Sequence, residues 1–185
     1  MQDRLKLTAD RIKGIASAVL DIVKLDDPVG YVEYGSIRPN GIKIQKTRVP
    51  LGTIGIIYES RPNVTVDAAV LCIKAGNAVI LRGGKEAYSS NKCLCEIMRS
   101  ALESAGLPKD TVQFVDDTTR EVTTQLMRLN KYLDVLIPRG GAGLIRAVME
   151  NATVPVIETG VGNCHVFVDE SADLDMAVKI TDNSK

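Results

Sequence analysis

The sequence predicts an α/β fold built on a mainly parallel sheet. Three observations carry that reading. From Pro50 onward, short apolar runs alternate with helical segments of ten residues or more, the rhythm of βαβ units. The runs are nearly continuous in apolar residues, as strands covered by helices on both faces must be. They also end in corners rich in glycine and arginine, and such sheets bind ligands outside the carboxyl ends of their strands.

The elements follow in order. Residues 8 to 24 place Ile12, Ile15, Ala16, Val19, Ile22 and Val23 on one stripe behind a Thr8 cap, so they read as an amphipathic helix that Asp26-Asp27-Pro28 ends. In "YVEYGSIRPNGIKIQKTRV" (31–49), Pro39-Asn40-Gly41 signals a turn, while Ile42 and Ile44 alternate with Lys43 and Gln45. This predicts a two-stranded hairpin, which is marginal alone and calls for a neighbour or a second subunit. The α/β body then reads "GTIGIIYE" as strand, "NVTVDAAVLCIKAG" as helix, "AVIL" as strand, and 86–105 as helix with Leu94, Ile97, Met98, Ala101, Leu102 and Ala105 inward. "VQFV" reads as strand, 118–129 as helix, "DVLIP" as strand, 141–150 as helix, and "VPVIE" and "CHVFV" as short strands. A last helix is capped by Ser171, with Leu174, Ala177 and Val178 inward.

Composition narrows the classes. The 185 residues are 45% hydrophobic and 25% charged, with 23 basic and 23 acidic residues, so no bulk charge draws the chain to nucleic acid or an anionic membrane. No apolar run approaches the roughly 20 residues of a membrane span. The N-terminus is charged and helical rather than a signal peptide, which leaves the four cysteines (72, 93, 95, 164) as reduced cytoplasmic thiols. Cys93-x-Cys95 is not a zinc spacing and His165 is the single histidine, so no structural zinc site is expected.

The residues to inspect are the strand exits: Tyr58-Glu59-Ser60-Arg61-Pro62-Asn63, Arg82-Gly83-Gly84-Lys85, Pro138-Arg139-Gly140-Gly141 and Glu158-Thr159-Gly160. Small, cationic exits gathered on one sheet edge suggest a ligand with several phosphates, a nucleotide or dinucleotide. Arg82 and Lys85 offer a phosphate grip from both sides of a glycine pair that lets backbone come close. Asn63 either caps the following helix or donates to a developing oxyanion. Glu158 is either a base or a charged strand end. "GAGLIRA" at 141–147 is a near miss to a dinucleotide fingerprint, with Arg146 at its third glycine position, and no Walker A loop is present. Cys164-His165 is not a nucleophile pair, because neighbours on a strand face opposite ways.

Taken together, "VPLGTIGIIYESRPNVTVDAAVLCIKAGNAVILRGGKEAYSSN", "LNKYLDVLIPRGGAGLI", "GNCHVFVDESADLD" and "DRLKLTADRIKGIASAVLDIVKLDDPVG" resemble the γ-glutamyl phosphate reductase (glutamate-5-semialdehyde dehydrogenase) family of the aldehyde dehydrogenase superfamily, across essentially the whole chain. The resemblance implies an aldehyde-dehydrogenase-like, Rossmann-type domain that binds NADP (NADPH) over 50–185, preceded by a helix and bridging hairpin over 1–49. It implies NADPH-dependent reduction of γ-glutamyl phosphate in proline biosynthesis, assembly into a homo-oligomer through the 31–49 hairpin, and functional coupling to glutamate 5-kinase. In that likeness Asn63 and Glu59 compete for the oxyanion position, Arg61 borders the nicotinamide side, and Arg82, Gly83, Gly84 and Lys85 meet the adenosine ribose and 2′-phosphate. Arg139, Gly140 and Gly141 flank the pyrophosphate, and "ETGVGN" brings Glu158, Thr159 and Gly160 to the superfamily's Glu-Leu-Gly-Gly. The family's catalytic cysteine lies in a Thr-Gln-Arg-Pro-Ser-x-Cys-Asn segment after the last helix, which this sequence does not contain. The likeness therefore implies a stretch of a longer enzyme, inactive by itself; a non-catalytic nucleotide-binding or assembly module is the alternative.

Overall fold

The computed structural model describes residues 5–158, 160, 162 and 164–184. Helix α1 (Ala9–Val23) starts where expected, with the Thr8 hydroxyl accepting from the Arg11 amide at 3.3 Å. Its half-buried stripe, Ile15, Ala18, Val19 and Ile22, lies against helix α2 (Pro62–Lys74). Strands β1 (Val32–Ile37) and β2 (Lys43–Thr47) form the antiparallel hairpin. Gly41 at φ +85° allows the left-handed turn between them, and Glu33 binds Lys46 and Arg48 at 2.6 and 2.8 Å across the ladder.

The body carries four parallel strands in the order β5-β4-β3-β6: β3 is Thr53–Tyr58, β4 Ala78–Arg82, β5 Val112–Phe114 and β6 Val135–Arg139. The chain steps outward from β3 to β5 and then returns to the other side of β3. The winding therefore reverses between β3 and β6, and ligands bind in the crevice of such a reversal. Helices α2 and α3 (Tyr88–Ser104) border one core, in which Ile54, Ile56 and Tyr58 meet Ala69, Cys95 and Leu102. Helices α4 (Arg120–Leu126) and α5 (Ala142–Asn151) border the other, in which Ile57 meets Leu126, Leu136 and Val148. The alternation along β3 thus fills both faces, as a double-sided parallel sheet requires.

Five expectations are corrected. Helix α3 buries Asn91, Cys95 and Leu102, while Ile97 is 60% exposed; a polar residue with a partner in the core turns the helix away from its most apolar stripe. "VPVIE" forms a single bridge, Val156 to Leu136, and "CHVFV" forms no strand among the described residues. Asp173 rather than Ser171 caps the last helix, α6 (Leu174–Asn183), accepting from the Met176 amide at 3.0 Å, because Ser171 is turned toward Asp169. Leu174 and Val178 are 71% and 67% exposed instead of inward; outside α6, Val168 lines a cavity with them. Among the described residues no helix is long and apolar enough to cross a membrane.

Candidate functional site

The exits of β3, β4 and β6 lie on one edge of the sheet because all three strands run parallel. The β3 and β4 exits border a cleft of about 880 Å³, whose other walls are α4 and α5: Ile57, Met127, Leu144 and Ala147 supply apolar surface, and Thr119 and Thr123 supply hydroxyls. A smaller pocket of about 360 Å³ sits at the winding reversal, lined by Tyr58, Glu59, Arg61, Val64, Arg139, Gly140 and Gly141. Glu59 borders both.

At the β4 exit the arginine is engaged internally. Arg82 donates to the Gly83 carbonyl at 2.8 Å and to the Thr118 and Thr119 carbonyls at 2.6 and 3.2 Å, pinning the loop that enters α4. Burial pulls its pKa down, while Asp117 and Glu86 pull it back up; its Nε is buried without a partner. The glycines serve packing first. A Cβ on Gly83 would collide with the Asn91 amide and approach the Tyr58 ring at 3.1 Å, and one on Gly84 would meet the Ser60 hydroxyl at 2.6 Å. Behind them, Tyr58 donates to Thr65 at 2.7 Å, and Thr65 donates to Asn91 at 3.0 Å. Burial raises the Tyr58 hydroxyl well above its ordinary range. In front, the Ser60 hydroxyl donates to Glu86 at 2.6 Å and holds that carboxyl below the usual carboxylate range. Lys85 is exposed, and no hydrogen bond or ion pair among the described residues holds it.

The β3 and β6 exits differ. Arg61 and Arg139 are exposed, and their guanidinium groups have no partner among the described residues. Gly141 stands at the N-cap of α5, and its amide donates to the Glu59 carboxylate at 2.8 Å. A Cβ on Gly140 would meet the Glu59 side chain at 2.8 Å, so the loop closes on that carboxylate. The next α5 amides, of Ala142 and Gly143, have no intrahelical acceptor by geometry, which makes this corner suitable for an anion.

Asn63 is not the cap of α2. Arg61 holds the N-cap position and Pro62 the first turn, because the fixed φ of proline suits a helix start. Asn63 donates along its own helix to Asp67 at 3.2 Å. Glu158 and Gly160 are exposed and line none of the cavities described, and Thr159 lies outside the described residues. The sequence reading missed Ser60, the Thr118–Thr119 carbonyls and Asp67. Ser60 lies inside the β3 exit; the others act through backbone oxygens or from a helix face, which leave no motif. Burial pushes the Cys72 and Cys95 thiols up to about 11, whereas Cys93 and Cys164 are exposed.

A parallel sheet whose winding reverses, with cationic and glycine-rich exits, is a doubly wound α/β architecture. The chain belongs to the aldehyde dehydrogenase family, which it matches over residues 17–185, and family membership implies a nicotinamide cofactor. Its relatives sharpen this. It is 64% identical to the γ-glutamyl phosphate reductase of Clostridium perfringens over 185 residues, covering 100% of this chain and 45% of that protein. It is 62% identical to that of Caldicellulosiruptor bescii over 183 residues, covering 99% and 44%. The crystal structure of the Thermotoga maritima γ-glutamyl phosphate reductase superposes with a TM-score of 0.89 at 50% identity, covering 98% of this chain and 44% of that one. The Saccharomyces cerevisiae reductase superposes at 0.74 and 30%, covering 97% and 45%. The chain therefore spans less than half the length of the relatives it matches.

Proposed function

We propose that the chain supplies the NADPH-binding part of an enzyme that reduces γ-glutamyl phosphate to glutamate-5-semialdehyde in proline biosynthesis. The observation that carries this is the edge where the winding reverses: a cleft of about 880 Å³ with the exposed Lys85 on its wall, and beside it a pocket of about 360 Å³ lined by Arg139, whose guanidinium has no partner among the described residues, and by Gly141 at the amino end of α5. Those groups fit a dinucleotide. The apolar wall of Met127, Leu144 and Ala147 takes a flat base, and the Ala142 and Gly143 amides with Arg139 take the pyrophosphate. Lys85 takes the 2′-phosphate that distinguishes NADP from NAD. The bound cofactor supplies the hydride. Arg82 shapes this site by fixing the entry to α4, not by gripping phosphate itself.

The same reading gives Asn63 a role at the developing oxyanion. Its amide carries two N–H groups and Asp67 uses one. Glu158, Thr159 and Gly160 remain site candidates of this reading, on the likeness to the superfamily alone. On the likeness to the superfamily alone, turnover by the 185-residue chain is not expected. Exposed apolar residues on the hairpin, Tyr34 at 61%, Ile37 at 70% and Ile42 at 56%, suit pairing with a second copy of the chain. Free thiols suit a cytoplasmic setting, and functional coupling to glutamate 5-kinase belongs to the same reading.

Calorimetric titration with NADPH and NADH tests the cofactor. NADPH is expected to bind the more tightly, and Arg139→Ala to weaken both nucleotides. Absence of binding by either at millimolar concentration, or tighter binding of NADH, overturns the reading.

A further inference from the structure

A third cavity, of about 490 Å³, lies between α1 and the first turns of α2 and is bordered by Arg61, Asn63 and Asp67 together with Lys6, Ile15 and Ala18. Arg61 also lines the pocket at the winding reversal, and Glu59 joins that pocket to the nucleotide cleft. The three cavities therefore form a series across the strand ends, with the α1–α2 cavity farthest from the cleft.

Its charges are arranged unusually. Opposite charges lining one cavity generally pair, yet Asp67 is half-buried and forms no ion pair among the described residues, although cations share its cavity. Its one hydrogen bond is from the Asn63 amide, which fixes one carboxylate oxygen and leaves the other open. Arg61 is equally unengaged. A cavity that keeps an acid and a base apart, each with hydrogen-bonding capacity to spare, complements a ligand carrying both charges.

We propose that this cavity recognises the α-amino-acid head of the substrate, with Asp67 receiving the α-ammonium and Arg61, aided by Lys6, the α-carboxylate. This rests on the reading of the enzyme as a reductase of a glutamyl acyl phosphate and adds which groups select the amino acid. Asn63 and Asp67 lie about one helical turn apart, and their polar atoms stand 3.2 Å from each other, so one glutamyl group can reach both. In this assignment Asp67 anchors the head and Asn63 faces the reacting end. The half-buried Ile15 and Ala18 of α1 give the cavity an apolar side opposite these groups.

The test uses the 185-residue chain and three stable probes: L-glutamate, glutarate, which lacks the ammonium, and 4-aminobutyrate, which lacks the α-carboxylate. Binding is followed by amide chemical shifts, with an NADPH titration of each sample alongside. L-Glutamate is expected to perturb the amides of Asn63 to Asp67 and of Ile15 to Ala18, and to bind about tenfold more tightly than glutarate, the size of one charge-assisted contact. Asp67→Asn removes that preference; Arg61→Gln weakens L-glutamate but not 4-aminobutyrate; unchanged spectra elsewhere show that both variants fold. Equal affinity for L-glutamate and glutarate, an unaltered preference in Asp67→Asn, or no saturable shift in the cavity overturns the inference. If NADPH binds and L-glutamate does not, this inference falls and the cofactor reading stands; the reverse removes the cofactor reading and leaves the cavity assigned.

Discussion

Two corners of the sheet edge look alike when written out. Arg82-Gly83-Gly84-Lys85 follows β4 and Arg139-Gly140-Gly141 follows β6, each an arginine before a glycine pair. In the folded chain they are opposites. Arg82 is engaged by the Thr118 and Thr119 carbonyls, and its glycines are pressed against Asn91 and Ser60. Arg139 is exposed and its guanidinium has no partner among the described residues, while its glycines close on the Glu59 carboxylate at the amino end of α5. One arginine holds the fold together and the other is left exposed. A guanidinium in a sequence does not reveal whether backbone oxygens have already claimed it.

The sharpest way to break this contrast is Gly83→Ala. If the β4 corner is packed as described, the added methyl strikes Asn91 and the Tyr58 ring and costs about 3 kcal/mol of stability, read from urea unfolding. Gly141→Ala meets only the Glu59 carboxylate, at 3.4 Å, and is expected to cost less than about 1 kcal/mol. Equal losses would show that the two corners do not differ in packing.

The arginines come next. Arg82→Ala leaves the Thr118 and Thr119 carbonyls short of a donor and is expected to cost about 2 kcal/mol of stability. Arg139→Ala is expected to stay within about 0.5 kcal/mol of the parent and to lose nucleotide affinity instead. Thermal unfolding and an NADPH titration of both variants separate the roles; a stable Arg82→Ala with weakened NADPH binding would reinstate Arg82 as a direct phosphate ligand. Lys85→Ala sits between the extremes. It leaves the fold intact and lowers the preference for NADPH over NADH by about tenfold if Lys85 meets the 2′-phosphate; an unchanged ratio removes that assignment.

Most of the fold was legible in the sequence, and the reason is physical. β3, β4, α2 and the hairpin turn at Gly41 depend on local periodicity and turn chemistry, and they lie within a residue or two of their expected bounds. What failed depended on partners distant in sequence. The burial of Asn91 in place of Ile97 is decided by Thr65, 26 residues earlier. The outward apolar face of α6 and the reduction of "VPVIE" to one bridge depend on what packs there rather than on propensity. The site followed the same rule. The exits of β3, β4 and β6 lie on one edge as expected because parallel strands share it, whereas Glu158 follows a single bridge rather than a strand, and the different engagement of Arg82 and Arg139 was set by carbonyls that carry no residue-type signal.

The smallest effect concerns the groups behind the closed corner. Tyr58, Cys72 and Cys95 are buried as neutral acids, and burial lifts the two thiols from 9.0 to about 11. Above the unfolded value, the native chain keeps protons that the unfolded chain releases. Stability is therefore fully present below about pH 8 and falls as pH rises from 9 toward 11. By pH 9 the loss is about 1 kcal/mol or less, growing beyond it. Urea midpoints at pH 7, 9 and 10 measure it, and Cys95→Ala is expected to flatten the fall even where it lowers the midpoint overall. A thiol-specific reagent at pH 8 gives the matching count: Cys93 and Cys164 react rapidly, while Cys72 and Cys95 react only as the chain opens. Four fast thiols would mean that the core behind the β4 corner is open, and the contrast with the β6 corner would lose its physical basis.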